Sequence, residues 1–172
     1  MPVIQHTSFV SPSAIIIGNV TIGKNCGVFP HAVIRGDEGP IVIDDGSNIQ
    51  DCCVLHTDAE HKIMVGKNVT IGHAAVVHGA TIEDDCLIGI HATVLNGAHV
   101  QQGSVIGACA LVTEKMVVPP HSLVLGVPGK VVKQDPLYID MIRNNAEIYQ
   151  AISQRHKQGK YPVYTSPDET SI

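Results

Sequence analysis

Ten histidines are spread over this chain of 172 residues, and three of them stand where imidazoles could share a ligand. His56 follows Leu55 and His78 follows Val77, while His73 follows Ile71-Gly72 in the run His73-x4-His78. Three neutral imidazoles plus a water make a tetrahedral centre with one open position, which is what catalytic zinc needs. Iron(II) and cobalt(II) accept the same donors. The other histidines, His6, His31, His61, His91, His99, His121 and His156, read as surface or hydrogen-bonded residues. A single stacked histidine would also serve as general base for acyl transfer, so the spacing of all three decides between the two chemistries.

The elements that must position these rings follow from a period of six. Large aliphatics recur at Ile16, Ile22, Val28 and Ile34, at Ile43, Ile49 and Leu55, at Val65, Ile71 and Val77, and from Ile82 through Ile88, Val94, Val100 and Ile106 to Val112. Two residues before each stands a mostly small or β-branched partner such as Ala14, Ala32, Ser47, Ala75, Ala92 or Ala110. Six residues are too few for a helical hairpin, so each unit is a short strand plus a turn, and three units make one coil of a three-sided prism. The expected class is all-β, a parallel β-helix of about five coils over residues 9–132, each coil buried by its neighbours. With four Tyr, two Phe and no Trp, the core must be aliphatic. Cys26, Cys53 and Cys86 take the small inward position and read as buried hydrophobes; Cys52 and Cys109 fall at turns. The frame slips after Ile34, after Leu55 and after Val77, and two of the insertions, Asp37 to Pro40 and Asp58 to His61, flank the histidines.

On one face of this prism the residues after the inward aliphatics are Arg35, His56 and His78, stacked at roughly the 4.8 Å spacing of neighbouring strands. His73 lies at a corner, out of reach of both other rings in the same chain. Three-sided prisms can pack around a three-fold axis, so the expectation is a homotrimer in which His73 of one subunit completes the site of the next.

After Val112 the repeat is expected to end. Asp135 as N-cap, Pro136, and the apolar positions Tyr138, Met141, Ile142, Ile148, Tyr149 and Ile152 predict an amphipathic helix over 135–158 lying on the prism, followed by a loose tail at 161–172. A formal charge of −5 without a basic run disfavours nucleic acid and anionic membranes. The absence of an apolar span or a leader pattern makes a cytoplasmic location the default expectation, and an odd number of cysteines, five, fits reduced thiols.

Arg35-Gly36-Asp37, Asn48-Ile49-Gln50-Asp51, Leu55-His56, Ile71-Gly72-His73 and Val77-His78 together resemble the ordered motifs of the gamma-class carbonic anhydrases, over residues 9 to 132. The resemblance implies a left-handed sense for the β-helix and a zinc site made by His56, His73 and His78. It further implies an inter-subunit salt bridge between Arg35 and Asp37. Gln50 and Asp51 would hold and orient the hydroxide that attacks carbon dioxide, Asn48 would lie near the carbon dioxide, and bicarbonate would leave. The prototypical member carries a proton-shuttling glutamate three residues after the first histidine, in a longer acidic loop. Here that position is Ala59 and the loop is short, so the chain is most similar to the shorter members that lack it. Glu38, Glu60, His61 or Tyr149 could substitute, Tyr149 because shorter relatives place a tyrosine on the C-terminal helix. The alternatives are a catalytically weak metal-binding member, a metal-dependent thioesterase, and a hexapeptide acyltransferase.

Overall fold

A computed structural model describes residues 1–164. Most hexads form a strand of two or three residues that pairs in parallel with the strand one coil away. On one face Gly27–Val28, Asn48–Ile49, Thr70–Ile71, Leu87–Ile88 and Val105–Ile106 follow one another in register. The other two faces join into a single wrapped sheet through two longer strands, Ile15–Ile22 and Val33–Ile43, which run round a shared corner. The large aliphatics of the repeat are buried, Ile16 only partly, and the small residues two places before them are buried as well, apart from the half-buried Ala14. Small side chains are needed there because three walls converge on a narrow interior.

The corners explain why the turn residues are what they are. At the corner preceding the Gly27–Val28 face, Asn25, Asn68 and Asp85 take positive φ of 54, 54 and 53°, a conformation that asparagine and aspartate tolerate better than most residues. Cys26, Cys53 and Cys86 are inward, as the period requires, and donate to main-chain carbonyls of the adjoining coil. Burial pushes their thiols up to about 11, 12 and 12.

The repeat extends further than its sequence pattern suggested. Val117–Val118 pairs with His99–Val100, and Ser122–Leu125 with Val105–Ile106, so Val118 and Val124 are further inward positions. Pro119 had argued for an end. In earlier coils the N–H after each aliphatic donates to the following coil, as Gly66 does to the Ile82 carbonyl. Pro119 stands in the last coil, where such a donor has no following coil to meet. An antiparallel strand, Lys130–Gln134, then covers the edge of this face.

The helix spans Tyr138–Lys157, starting later than Asp135 and without a side-chain cap. Asp135 instead takes the Leu137 N–H at 3.1 Å and the Lys133 ammonium at 2.8 Å, and the Tyr138 N–H closes a tight turn on the Asp135 carbonyl. Its inner face is Ile142, Ala146 and Ser153, all fully buried, whereas Met141 and Ile148 are exposed, contrary to the sequence reading. Small residues win because the helix lies directly on the sheet: a Cβ on Gly27 would sit 2.1 Å from Ser153 Oγ. The helix runs back along the prism, meeting Asp85 with Arg143, Asn68 and Gly46 with Gln150, and the Thr7 carbonyl with Gln154. Its 20 residues span about 30 Å, the height of roughly six coils at 4.8 Å. Residues 165–172, most of the expected tail, lie outside the described residues.

Candidate metal centre

Strand register decides which side chains stack. Arg35 is the partner of His56, and His56 of His78, on successive strands of one face. The two imidazoles meet with ring centroids 5.0 Å apart, and His56 Nδ1 lies 3.1 Å from His78 Nε2. Each ring is held on its other nitrogen. His56 Nε2 faces Asp37 Oδ1 at 3.2 Å, and Asp37 is itself gripped by Arg35 at 2.6 Å, which holds its carboxyl below the usual carboxylate range. His78 Nδ1 faces Asn96 Oδ1. Arg35 and Asp37, expected to bridge subunits, therefore pair within one chain.

These contacts leave the facing nitrogens short of a proton. Asn96 donates its amide N–H to Asp58 Oδ2 at 2.8 Å, so its oxygen must face His78, and His78 carries its proton on Nδ1. If His56 gives its proton to Asp37, two lone pairs oppose each other across 3.1 Å; if it turns the proton towards His78, its other lone pair opposes a carboxylate. The Asp37 carboxylate favours the first arrangement, and there a cation bound by both nitrogens removes the conflict. Ligand nitrogens on a tetrahedral zinc stand about 3.3 Å apart, close to the separation present. Acceptors behind each ring are the usual support for metal-bound histidines. The donor set fits a metal ion.

His73 belongs to a second cluster, at the corner where another face ends. Its Nδ1 donates to Asp51 Oδ2 at 2.9 Å and its main-chain N–H to Gln50 Oε1 at 3.2 Å. Gln50 in turn donates to Asn48 Oδ1, and Asn48 and Asn145 both donate to Thr70 Oγ1. Asn48 and Gln50 are buried although their positions point outward, because the C-terminal helix covers this face. A cleft of about 380 Å³ opens beside Gln50, His73, Asn145 and Tyr149, with an apolar floor that includes Leu87, Ile88, Val105 and Ile106. Burial raises the Tyr149 phenol, and the charge of Asp51 adds to that. The ring packs edge-on against Phe29.

The chain thus brings together Arg35, Asp37, His56 and His78 in one group and Asn48, Gln50, Asp51, His73 and Tyr149 in another. Among the described residues no three His, Cys, Asp or Glu side chains within the chain are placed to hold one metal ion. Sequence reading missed Asn96, Asp58 as its support, and Asn145. Counting the hexads puts Leu95, not Asn96, one coil beyond His78, since Val77 pairs with Val94. Asn96 stands one residue further on, beside Gly79, and nothing in its local sequence says that its amide turns towards the ring.

No protein-family model matches the chain. Among curated proteins it is 48% identical over 146 residues to a "Probable carbonic anhydrase" of Methanocaldococcus jannaschii, covering 84% of this chain and 92% of that protein. It is 38% identical to the carnitine operon protein CaiE of Escherichia fergusonii, over 77% of this chain and 68% of the relative. Among solved structures, a hexapeptide transferase family protein from Anaplasma phagocytophilum superposes with a TM-score of 0.85 at 34% identity, covering 89% of this chain and 91% of the other. With these motifs, this fold and that degree of identity, the chain belongs to the gamma-class carbonic anhydrase family of hexapeptide-repeat proteins.

Proposed function

We propose that the protein is a metal-dependent carbonic anhydrase, hydrating carbon dioxide reversibly to bicarbonate at a site shared between subunits of a homotrimer. The observation that carries this reading is the pair His56 Nδ1 and His78 Nε2, which face each other at 3.1 Å with an acceptor behind each ring. Zinc is the metal proposed, with iron(II) or cobalt(II) suited to the same donors. His56 and His78 would hold it from one subunit and His73, whose Nδ1 is tied to Asp51, would offer Nε2 from the next.

A bound divalent ion supplies Lewis acidity, lowering the pKa of water enough to give a nucleophile near neutral pH. The chain's own groups do the rest. Asp37, kept ionised by Arg35, holds the His56 ring. Asp51 fixes the His73 ring and keeps a second oxygen with which to orient the attacking water. Gln50 and Asn48 form a rigid polar wall beside the site, against which carbon dioxide is positioned. Tyr149, its phenol raised by burial, stays protonated at neutral pH and can donate a hydrogen bond at the mouth of the cleft. With Ala59 in place of a shuttling glutamate, protons leave through Glu38, Glu60 or His61 at the rim.

One observation favours a second reading, hydrolysis of an acyl thioester at the same centre. The cleft beside His73, about 380 Å³ with an apolar floor, is in the size range of sites for small organic ligands and far exceeds what carbon dioxide fills. The deciding experiment measures metal per subunit and carbon dioxide hydration for the wild type and His78→Ala. One metal per subunit, lost with the activity in the variant, is expected. Metal without hydration, but with turnover of short acyl thioesters, would move the reading to the second; an absence of bound metal in the wild type would end both.

A further inference from the structure

We propose that Asn96, aligned by Asp58, is the positioning residue that makes His78 present Nε2, and that the Thr57–His61 turn is therefore part of the centre's supporting frame. The inference rests on the metal-centre reading above.

The geometry runs outward from the ring. His78 Nδ1 faces Asn96 Oδ1, and the Asn96 amide N–H donates to Asp58 Oδ2 at 2.8 Å. A flipped Asn96 would turn its N–H₂ towards His78 Nδ1 and set its oxygen against a carboxylate oxygen, so Asp58 selects the orientation. The other oxygen of Asp58 is fully committed, accepting from the main-chain N–H of Glu60 and of His61 at 3.0 Å each and facing His61 Nδ1 at 2.8 Å. A four-residue insertion thus folds round one carboxylate, which reaches across 38 positions of sequence to fix an amide.

The backbone makes room for this. Gly79, at φ +54°, lies directly beneath the Asn96 amide, where a Cβ would stand 2.5 Å from Asn96 Oδ1 and 2.8 Å from His61 Cβ. A glycine is thus required immediately after His78, on the path between the ring and its support. The hydrogen-bonded acceptor behind a metal-binding imidazole fixes its tautomer, and loss of such partners typically weakens metal affinity by roughly 10–100-fold.

The test compares the wild type with Asn96→Leu, which removes the acceptor at similar size, and Asp58→Asn, which frees the amide to flip. Zinc affinity is read by competition with a chromophoric chelator. The His78 tautomer is read by ¹⁵N chemical shifts of the metal-free protein. Expected are a His78 protonated on Nδ1 in the wild type, mixed tautomers in both variants, and affinity weaker by roughly 10–100-fold with unchanged stoichiometry at saturating zinc. Unchanged tautomer and affinity in both variants would overturn the assignment while leaving the metal centre intact. Failure of the wild type to take up zinc would instead sink the centre, and the ¹⁵N comparison would still judge Asn96. Should Asn96→Leu fail to fold, Asp58→Asn alone decides.

Discussion

His56 and His78 acquire a shared purpose only because the strand register sets them side by side with acceptors behind them, and the cysteines show the same dependence on position. Cys26, Cys53 and Cys86 are buried with thiols raised to about 11, 12 and 12, whereas Cys52 and Cys109 are exposed at corners. Since the thiolate is the reactive form, a thiol reagent near neutral pH should label two cysteines per native subunit, Cys52 and Cys109. All five should react after denaturation. Rapid native labelling of Cys53, read by peptide mass spectrometry, would contradict the inward threading. The odd number of cysteines and the period of six made this distinction legible in the sequence. Asn96 was not legible, because its partner Asp58 lies 38 positions away and the bond depends on how the Asp58 to His61 insertion folds.

At the scale of elements, the C-terminal helix is fastened to the prism by a few polar contacts over small buried residues. The strongest is Arg143 to Asp85, 2.7 Å, with the Asp85 side chain only 4% exposed. Burial pushes the Asp85 carboxyl up, but hydrogen bonds from Arg143, Asn68 and Gln102 outweigh it and leave it below the usual range. A group with a lower pKa folded than unfolded contributes stability above its unfolded value, about 3.9, and loses it as the pH falls through the folded value. Asp85→Asn should therefore lower unfolding free energy by about 1–3 kcal/mol at neutral pH, and its gap from the wild type should narrow on acidification below about pH 4. A gap that stays constant down to about pH 3 in denaturant titrations would show that the ion pair is not the fastening. The helix itself was visible as an amphipathic pattern, but its inner face was not. Met141 and Ile148 looked like core residues, yet close approach of the helix to Gly27 favours Ala146 and Ser153 at the contact.

At the scale of the whole molecule, the division of the site into two clusters on different faces has one direct consequence. If His73 serves a neighbouring subunit, His73→Ala and His78→Ala damage different halves of the same centre. Each variant alone should be inactive and metal-poor, but mixed trimers made by refolding or co-expressing them should recover activity. Equal mixing would restore roughly a quarter of the sites, because one subunit can contribute intact His56 and His78 and its neighbour intact His73. No recovery in a verified mixed oligomer would show that the three histidines do not meet across an interface. The outer surface beside His56 suits such contact: Ile15, Ile17 and Val54 are exposed there at 51%, 41% and 37%, an apolar patch of the kind that marks interaction sites.

The sequence by itself determined the coil. A six-residue period is a local rule, repeated often enough that strand, turn, inward residue and the stacking of Arg35, His56 and His78 all follow from counting. It also named the residues that the family resemblance attaches to the chemistry. Tertiary structure decided what counting could not reach. It extended the repeat past Pro119, because a terminal coil lacks a following neighbour to receive that N–H. It buried Asn48 and Gln50 under a helix from the far end of the chain, and turned the Asn96 amide so that one nitrogen of His78 stays free. Each of these depends on groups far apart in sequence meeting in a space whose dimensions the local pattern does not contain.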